Sequence, residues 1–151
     1  MKKDKNKHLK ALLRKVVVKY HKRNVDKIVD KLIKKTTSVM YNMKSRSKKH
    51  HVKFDMEKKD FISLIYKNYG KPCKYDKNRQ VLYRCMTFDH IVPISKGGES
   101  VKSNIQLISK FSNNLKGSLV ESDFKIVLDW LNSIDPKLRK IIAARLARGK
   151  G

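Results

Sequence analysis

Leu9, Leu12, Leu13, Val16, Val17 and Tyr20 recur at the three- and four-residue intervals of one helix face. Val25, Ile28, Val29, Leu32 and Ile33 repeat that spacing out of phase. A break at Arg23-Asn24 accounts for the change of phase and predicts two amphipathic helices, about 8–22 and 25–35; one bent helix is the alternative. Residues 36–51 lose the large apolar side chains and turn polar and basic, as Lys44-Ser45-Arg46-Ser47-Lys48-Lys49-His50-His51 shows. Asp55 is a candidate N-cap for a helix burying Phe61, Leu64, Ile65 and Tyr69 and ending at Gly70, with a Pro72 loop after it.

Val81 to Phe88 favours a strand, broken by Pro93 and Lys96-Gly97-Gly98. A second short strand is expected over 104–108, and Ser109 can cap a short helix ending at Gly117. Ser118 and Glu121 have the spacing of a capping box ahead of Phe124, Val127, Leu128 and Leu131. Asp135-Pro136 starts a last helix that stops near Gly149. Strand, glycine loop, strand and short helix make a ββα unit at about 81–117, and the whole is an α+β fold, mostly helical.

Composition adds a partner. The 151 residues carry 38 Lys and Arg against 13 Asp and Glu, a net charge of +25. Such an excess repels itself and is best matched by a polyanion. Nucleic acid leads; an anionic membrane surface or a merely soluble basic protein are the other uses of such charge. Residues 1–60 hold 21 basic and 6 acidic side chains. They form the expected basic helical DNA-binding arm, with 61–151 as the catalytic core and its C-terminal helices. No apolar run reaches membrane-span length, and no secretory leader pattern follows the first lysines, so a cytoplasmic protein is expected. Cys73 and Cys85 are too few for a disulfide framework and read as free thiols.

Asp89-His90, Asn104, Asn113 and Lys116 fall within the ββα unit. Phosphodiester hydrolysis needs a base near neutrality, which suits histidine. It also needs a divalent cation held by hard oxygen donors, which a carboxylate and an amide carbonyl supply. In a regular strand Asp89 and His90 point to opposite faces.

The run FDHIVPISKGGESVKSNIQLISKFSNNLKG resembles the HNH endonuclease motif of the ββα-metal, or His-Me finger, nucleases. Asp89-His90, Pro93, Gly97-Gly98, Asn104-Ile105-Gln106 and Asn113-x-x-Lys116-Gly117 carry the likeness. SRSKKHHVKFD and PCKYD are weaker echoes of phage and intron-associated members, and the first forty residues match no family. The resemblance implies a metal-dependent DNA endonuclease. His90 would be the general base, and Asp89 and Asn113 the metal ligands. Asn104 would belong to the catalytic group by holding His90 in orientation. Lys116 would contact a phosphate or remain a solvated lysine. Asparagine at 113, where many members have histidine, makes an HNN variant and favours Mg²⁺ or Mn²⁺ over Zn²⁺.

Many relatives bind a structural zinc through two cysteine pairs. Here Asp76 stands at the place of Cys73's partner, and Ser109 and Ser112 at the second pair, so no structural zinc is expected. Arg46, Lys48 and Lys49, with lysines of 1–35, are the expected DNA contacts. The alternatives are a non-catalytic nucleic-acid-binding protein on the same fold and a structure-specific nuclease for branched DNA.

Overall fold

The computed structural model describes residues 6–148. Helix α1 (Lys7–Val17) buries Leu13, Val16 and Val17. It ends earlier than its apolar repeat predicts, because the chain turns so that Tyr20 packs edge-on against Tyr69, with ring centroids 6.0 Å apart. Asn24, in the left-handed region at φ 59°, breaks the chain where the phase shift predicted and starts α2 (Val25–Lys49).

The α2 helix continues fourteen residues past its expected end at 35. Its buried face there is made of Thr36, Met43 and Ser47 rather than large aliphatic residues. The hydroxyl of Thr36 donates to the Leu32 carbonyl, 2.8 Å away. That of Ser47 meets Ser100. Small, internally satisfied side chains let the helix lie close to its neighbours, and they carry little periodic signal.

Strand β1 (Phe54–Asp55) pairs in parallel with β5 (Ser100–Val101), reached later in the chain. Asp55 is therefore a strand residue and not the expected cap. The cap of α3 (Lys58–Asn68) is Glu57, in a capping box closed by Asp60. At Gly70, φ is +75° and a Cβ would lie 2.1 Å from the Tyr20 ring, so both backbone and space require glycine.

Strands β2 (Pro72–Cys73) and β3 (Asp76–Gln80) form a small antiparallel hairpin. The next strand, β4, spans Met86–His90, shifted from the expected 81–88. Residues 81–85 instead turn, with the Cys85 and Met86 amides donating to the Leu82 carbonyl. After a 3₁₀ turn at Ile94–Lys96 and β5, strand β6 (Ile105–Ser109) pairs antiparallel with β4, placing His90 opposite Ile105 and Asp89 opposite Gln106.

Helix α4 (Lys110–Lys116) is capped as expected by Ser109, whose side chain accepts from the Ser112 amide. Helix α5 (Glu121–Ser133) starts from Val120 with no side-chain cap, so the Ser118 capping box does not form. Helix α6 (Pro136–Ala147) is capped by Asp135, which accepts from the Lys137 and Leu138 amides. The expected stop at Gly149 lies outside the described residues.

One hydrophobic cluster runs from Leu13, Val17, Leu32 and Ile33 through Phe61 and Ile65 to Phe88 and Ile108. The basic N-terminal helices and the ββα unit therefore share a core. Phe61 and Phe88 meet edge to face at its centre, with centroids 5.1 Å apart. Among the described residues no helix is long and apolar enough to cross a membrane.

Candidate active site

Strand β4 places Met86, Phe88 and His90 on its buried face, with Thr87 and Asp89 on the other. Asp89 and His90, adjacent in sequence, thus serve two different surroundings.

His90 is buried, and its Nε2 is hydrogen-bonded to Ser100 Oγ at 2.8 Å. Ser100 Oγ is bonded in turn to Ser47 Oγ, also at 2.8 Å. Both serines are buried. Burial lowers the His90 pKa below its ordinary value, and the positive charges of Arg46 and Lys116 add to that, while Asp89 opposes it. A neutral imidazole is the form that can take a proton. Nδ1 makes no hydrogen bond among the described residues.

Asp89 lies on the other side of the strand. Its Oδ2 accepts from Gln106 Nε2 at 3.0 Å and lies 3.1 Å from Lys116 Nζ. The Lys116 ammonium also donates to the His90 carbonyl at 2.8 Å. The Lys116 side chain is 0% exposed, so the expected phosphate contact is not available to it. A buried cation needs a nearby anion and acceptors, and Lys116 has both. It locks the end of α4 to the end of β4.

Behind Asp89 the polar chain continues. Gln106 Nε2 donates to Tyr75 Oη at 3.0 Å, and the Tyr75 hydroxyl donates to Glu121 at 2.6 Å. Glu121 also pairs with Lys74. These two hydrogen-bonding partners hold the Glu121 carboxyl below its usual range.

Asn104 spans the loop after His90. Its Oδ1 accepts from the Val92 amide at 2.8 Å, and its Nδ2 donates to the carbonyls of Val92 and Glu99 at 3.1 and 2.8 Å. Its carbonyl also accepts from the Ile91 amide. The Asn104 side chain makes no hydrogen bond to His90; it fixes the backbone that leaves it. Within that loop a Cβ on Gly98 would fall 1.8 Å from the Val92 carbonyl oxygen, so the Gly97-Gly98 step is a close backbone crossing that only glycine permits.

Asn113 sits mid-way along α4, half-buried, and its side chain makes no hydrogen bond among the described residues. Arg46, Lys48 and Lys49 occupy the exposed side of the last turn of α2, beside Ser47. The charge of Arg46 reaches His90.

Two oxygen donors of the kind a divalent cation takes are left uncommitted. Asp89 keeps Oδ1 free of hydrogen bonds among the described residues, and the Asn113 amide is uncommitted. Both are hard oxygen donors, the kind that would hold a hard divalent cation. Among the described residues no three His, Cys, Asp or Glu side chains gather as a metal cage.

Cys73, Ser109 and Ser112, the positions expected to lack a structural zinc, are joined by hydrogen bonds. Cys73 Sγ lies 3.4 Å from Ser112 Oγ and accepts from the Ser109 amide at 3.3 Å, and Ser109 Oγ donates to Ser112 Oγ at 2.9 Å. Burial raises the Cys73 thiol pKa, but these hydrogen bonds outweigh it and hold the group below its ordinary value. Asp76 is register partner of Cys73, yet its carboxylate pairs with Arg79 at 2.8 Å.

Sequence reading missed Ser47, Ser100, Tyr75 and Glu121. Ser47 carried one signal: it lies four residues after Met43, on the buried face of α2. No curated protein and no solved structure matched the chain. Residues 71–118, about a third of the chain, are similar to the family model described as HNH endonuclease.

Proposed function

We propose that the protein is a metal-dependent DNA endonuclease hydrolysing phosphodiester bonds, with His90 as general base and Asp89 and Asn113 as ligands of Mg²⁺ or Mn²⁺. The observation that carries the reading is the state of His90. It is held on one nitrogen by Ser100, unbonded on the other, and biased towards its neutral form by burial. With Nε2–H donating to Ser100, the Nδ1 lone pair is free to accept a proton from water.

A cation at Asp89 and Asn113 would take up charge on the phosphate and the leaving oxygen. Lys116 and Gln106 orient Asp89. Asn104 and the glycine crossing fix the chain that follows His90. Arg46, Lys48 and Lys49, in the arm of residues 1–60, bind the DNA backbone. With one base and one cation the unit hydrolyses one strand per engagement, so a double-strand break needs a second engagement. The free thiols of Cys73 and Cys85 suit a reducing cytoplasm. The HNN pattern and the phage-like echoes belong to this reading too.

The test is end-mapped cleavage of plasmid, linear and branched DNA by the full chain, with Mg²⁺ and with EDTA. Nicks that need the metal support the reading. Full cleavage in chelator, with metal verified absent, overturns the mechanism. Activity confined to branched substrates would assign the structure-specific alternative.

A further inference from the structure

A second basic surface lies away from Arg46, Lys48 and Lys49. Lys31, Lys34 and Lys35 fall at helical spacing on one face of α2. With Arg84 and Lys110 from the ββα unit they line a concavity of about 690 Å³, and Tyr83 forms part of its wall. None of these five cations makes an ion pair with an acidic side chain among the described residues, and no Asp or Glu lines the concavity.

The groove is built. Lys35 Nζ donates to the Met86 carbonyl. The ammoniums of Lys31 and Lys35 lie 5.7 and 6.0 Å from the centre of the Tyr83 ring. The Lys110 amide donates to the Cys85 carbonyl, fixing the start of α4 beside the start of β4. Five cations are thus held together from two parts of the chain with no anion of their own. Burial and then the neighbouring Lys110 charge lower the Lys35 pKa, as expected where like charges are uncompensated.

Its position relative to the candidate active site follows from three elements that run alongside one another. Lys35 of α2 bonds Met86 at the start of β4, and Ser47 of α2 bonds the Ser100 that holds His90 at its end. Lys110 and Lys116 mark the same two ends on α4. Four residues of strand separate Met86 from His90, about 13 Å at ~3.3 Å per residue. That is about four nucleotide steps at ~3.4 Å per phosphate of one strand.

We propose that this groove is a phosphate-backbone exosite for DNA, engaging the strand about four nucleotides from the bond that the His90 site cleaves. It rests on the nuclease reading for its register, but its binding role stands apart from cleavage. Cations spread over two elements contact successive phosphates. The partner is the backbone of a long polyanion and not a small anion, because the same helix carries a second cationic turn at Arg46, Lys48 and Lys49 beyond the groove.

The experiment compares the full chain with a variant carrying Lys31→Gln, Lys34→Gln, Arg84→Gln and Lys110→Gln. All four residues are exposed, and Lys35 is kept because it braces Met86; unchanged circular dichroism and thermal midpoint confirm the fold. Binding is titrated at several salt concentrations, in EDTA, on a long duplex and on one ending at the mapped cut. On the long duplex the variant should bind roughly 10-fold more weakly, with its log–log salt slope reduced by about 0.9 for every phosphate it no longer neutralises. On the short duplex the two proteins should match.

Cys85 is exposed and Cys73 buried, so a photocrosslinker can be placed on Cys85 alone. It should attach to nucleotides about four steps from the cut. Equal affinity and equal slope on the long duplex overturn the exosite, whatever the cleavage result. Displacement of DNA from the groove by inorganic phosphate at equal phosphate concentration would also overturn it, by assigning a small-anion site. If the slope falls as expected but no DNA is ever cut, the groove's binding role stands, while the nuclease reading and the four-nucleotide register fail with it.

Discussion

His90 Nε2 and Ser100 Oγ lie 2.8 Å apart, both buried, on elements that sequence separates by a glycine loop. A hydrogen bond on one imidazole nitrogen decides which tautomer the other presents. Ser100 thereby orients His90, and with its oxygen accepting from Nε2–H it would leave Nδ1 as the basic atom.

Ser100→Ala should therefore reduce single-turnover cleavage at saturating enzyme by about 10–100-fold, the usual worth of such a supporting hydrogen bond. DNA affinity should stay unchanged, and Ser100→Thr should recover part of the rate. A parental rate in Ser100→Ala would show that Ser100 does not orient the base.

His90→Ala should leave DNA affinity nearly intact, since one neutral imidazole is removed among many cations. The cleavage rate should fall about 10²–10⁴-fold, the range expected of a general base. Binding titration and single-turnover cleavage, run side by side, separate the two effects; parental cleavage under saturation would mean that another group is the base.

Neutralising Arg46, Lys48 and Lys49 together should do the reverse. Affinity should fall for all DNA sequences alike, with the salt slope reduced by about 0.9 for each phosphate left without its cation. An unchanged slope would show that the exposed last turn of α2 does not touch DNA.

Lys116→Ala should destabilise the fold by about 3–5 kcal/mol, because it strands the partly buried Asp89 carboxylate and the His90 carbonyl without their cation. Chemical denaturation reads this directly. A loss below about 1 kcal/mol would show that Lys116 behaves as a surface lysine.

Elemental analysis of the purified protein should find no stoichiometric zinc. Cys73 is the single sulfur in a cluster that Ser109 and Ser112 complete, and a structural zinc needs four ligands. Zinc retained through dialysis and released on Cys73→Ser would contradict the hydrogen-bonded cluster.

The elements that sequence placed well are those whose signal is local. Asn24 breaks the helices, Ser109 caps α4 and Asp135 caps α6, each through its own side chain or backbone preference. Misplaced elements depend on partners far along the chain. Leu82 and Tyr83 look like strand residues, but they pack against the core from a turn. The β3 residues Asp76–Gln80 are polar and mostly exposed, so nothing in their hydropathy marks a strand.

Asp89, His90, Asn104 and Asn113 stand out in the sequence because their spacing in the chain is itself the motif. Ser47 and Ser100 do not, because their meeting joins positions 53 residues apart and serine at either place has no distinguishing pattern. Lys116 was legible as a residue but not as a role, since only burial distinguishes a structural ammonium from a phosphate-binding one.

The bond between Ser47 and Ser100 bears on how the chain can be divided. Eight of the nineteen buried residues of the main cluster, from Leu13 to Met56, precede residue 61. A fragment starting there would lose the helix that closes one wall around His90, as well as the apolar faces under Phe61 and Ile65. The basic segment cannot be treated as an interchangeable targeting module. Grafting this ββα unit onto a different domain would have to carry α2 with it, because that helix supplies the buried Ser47 toward the histidine on one side and exposed cations on the other.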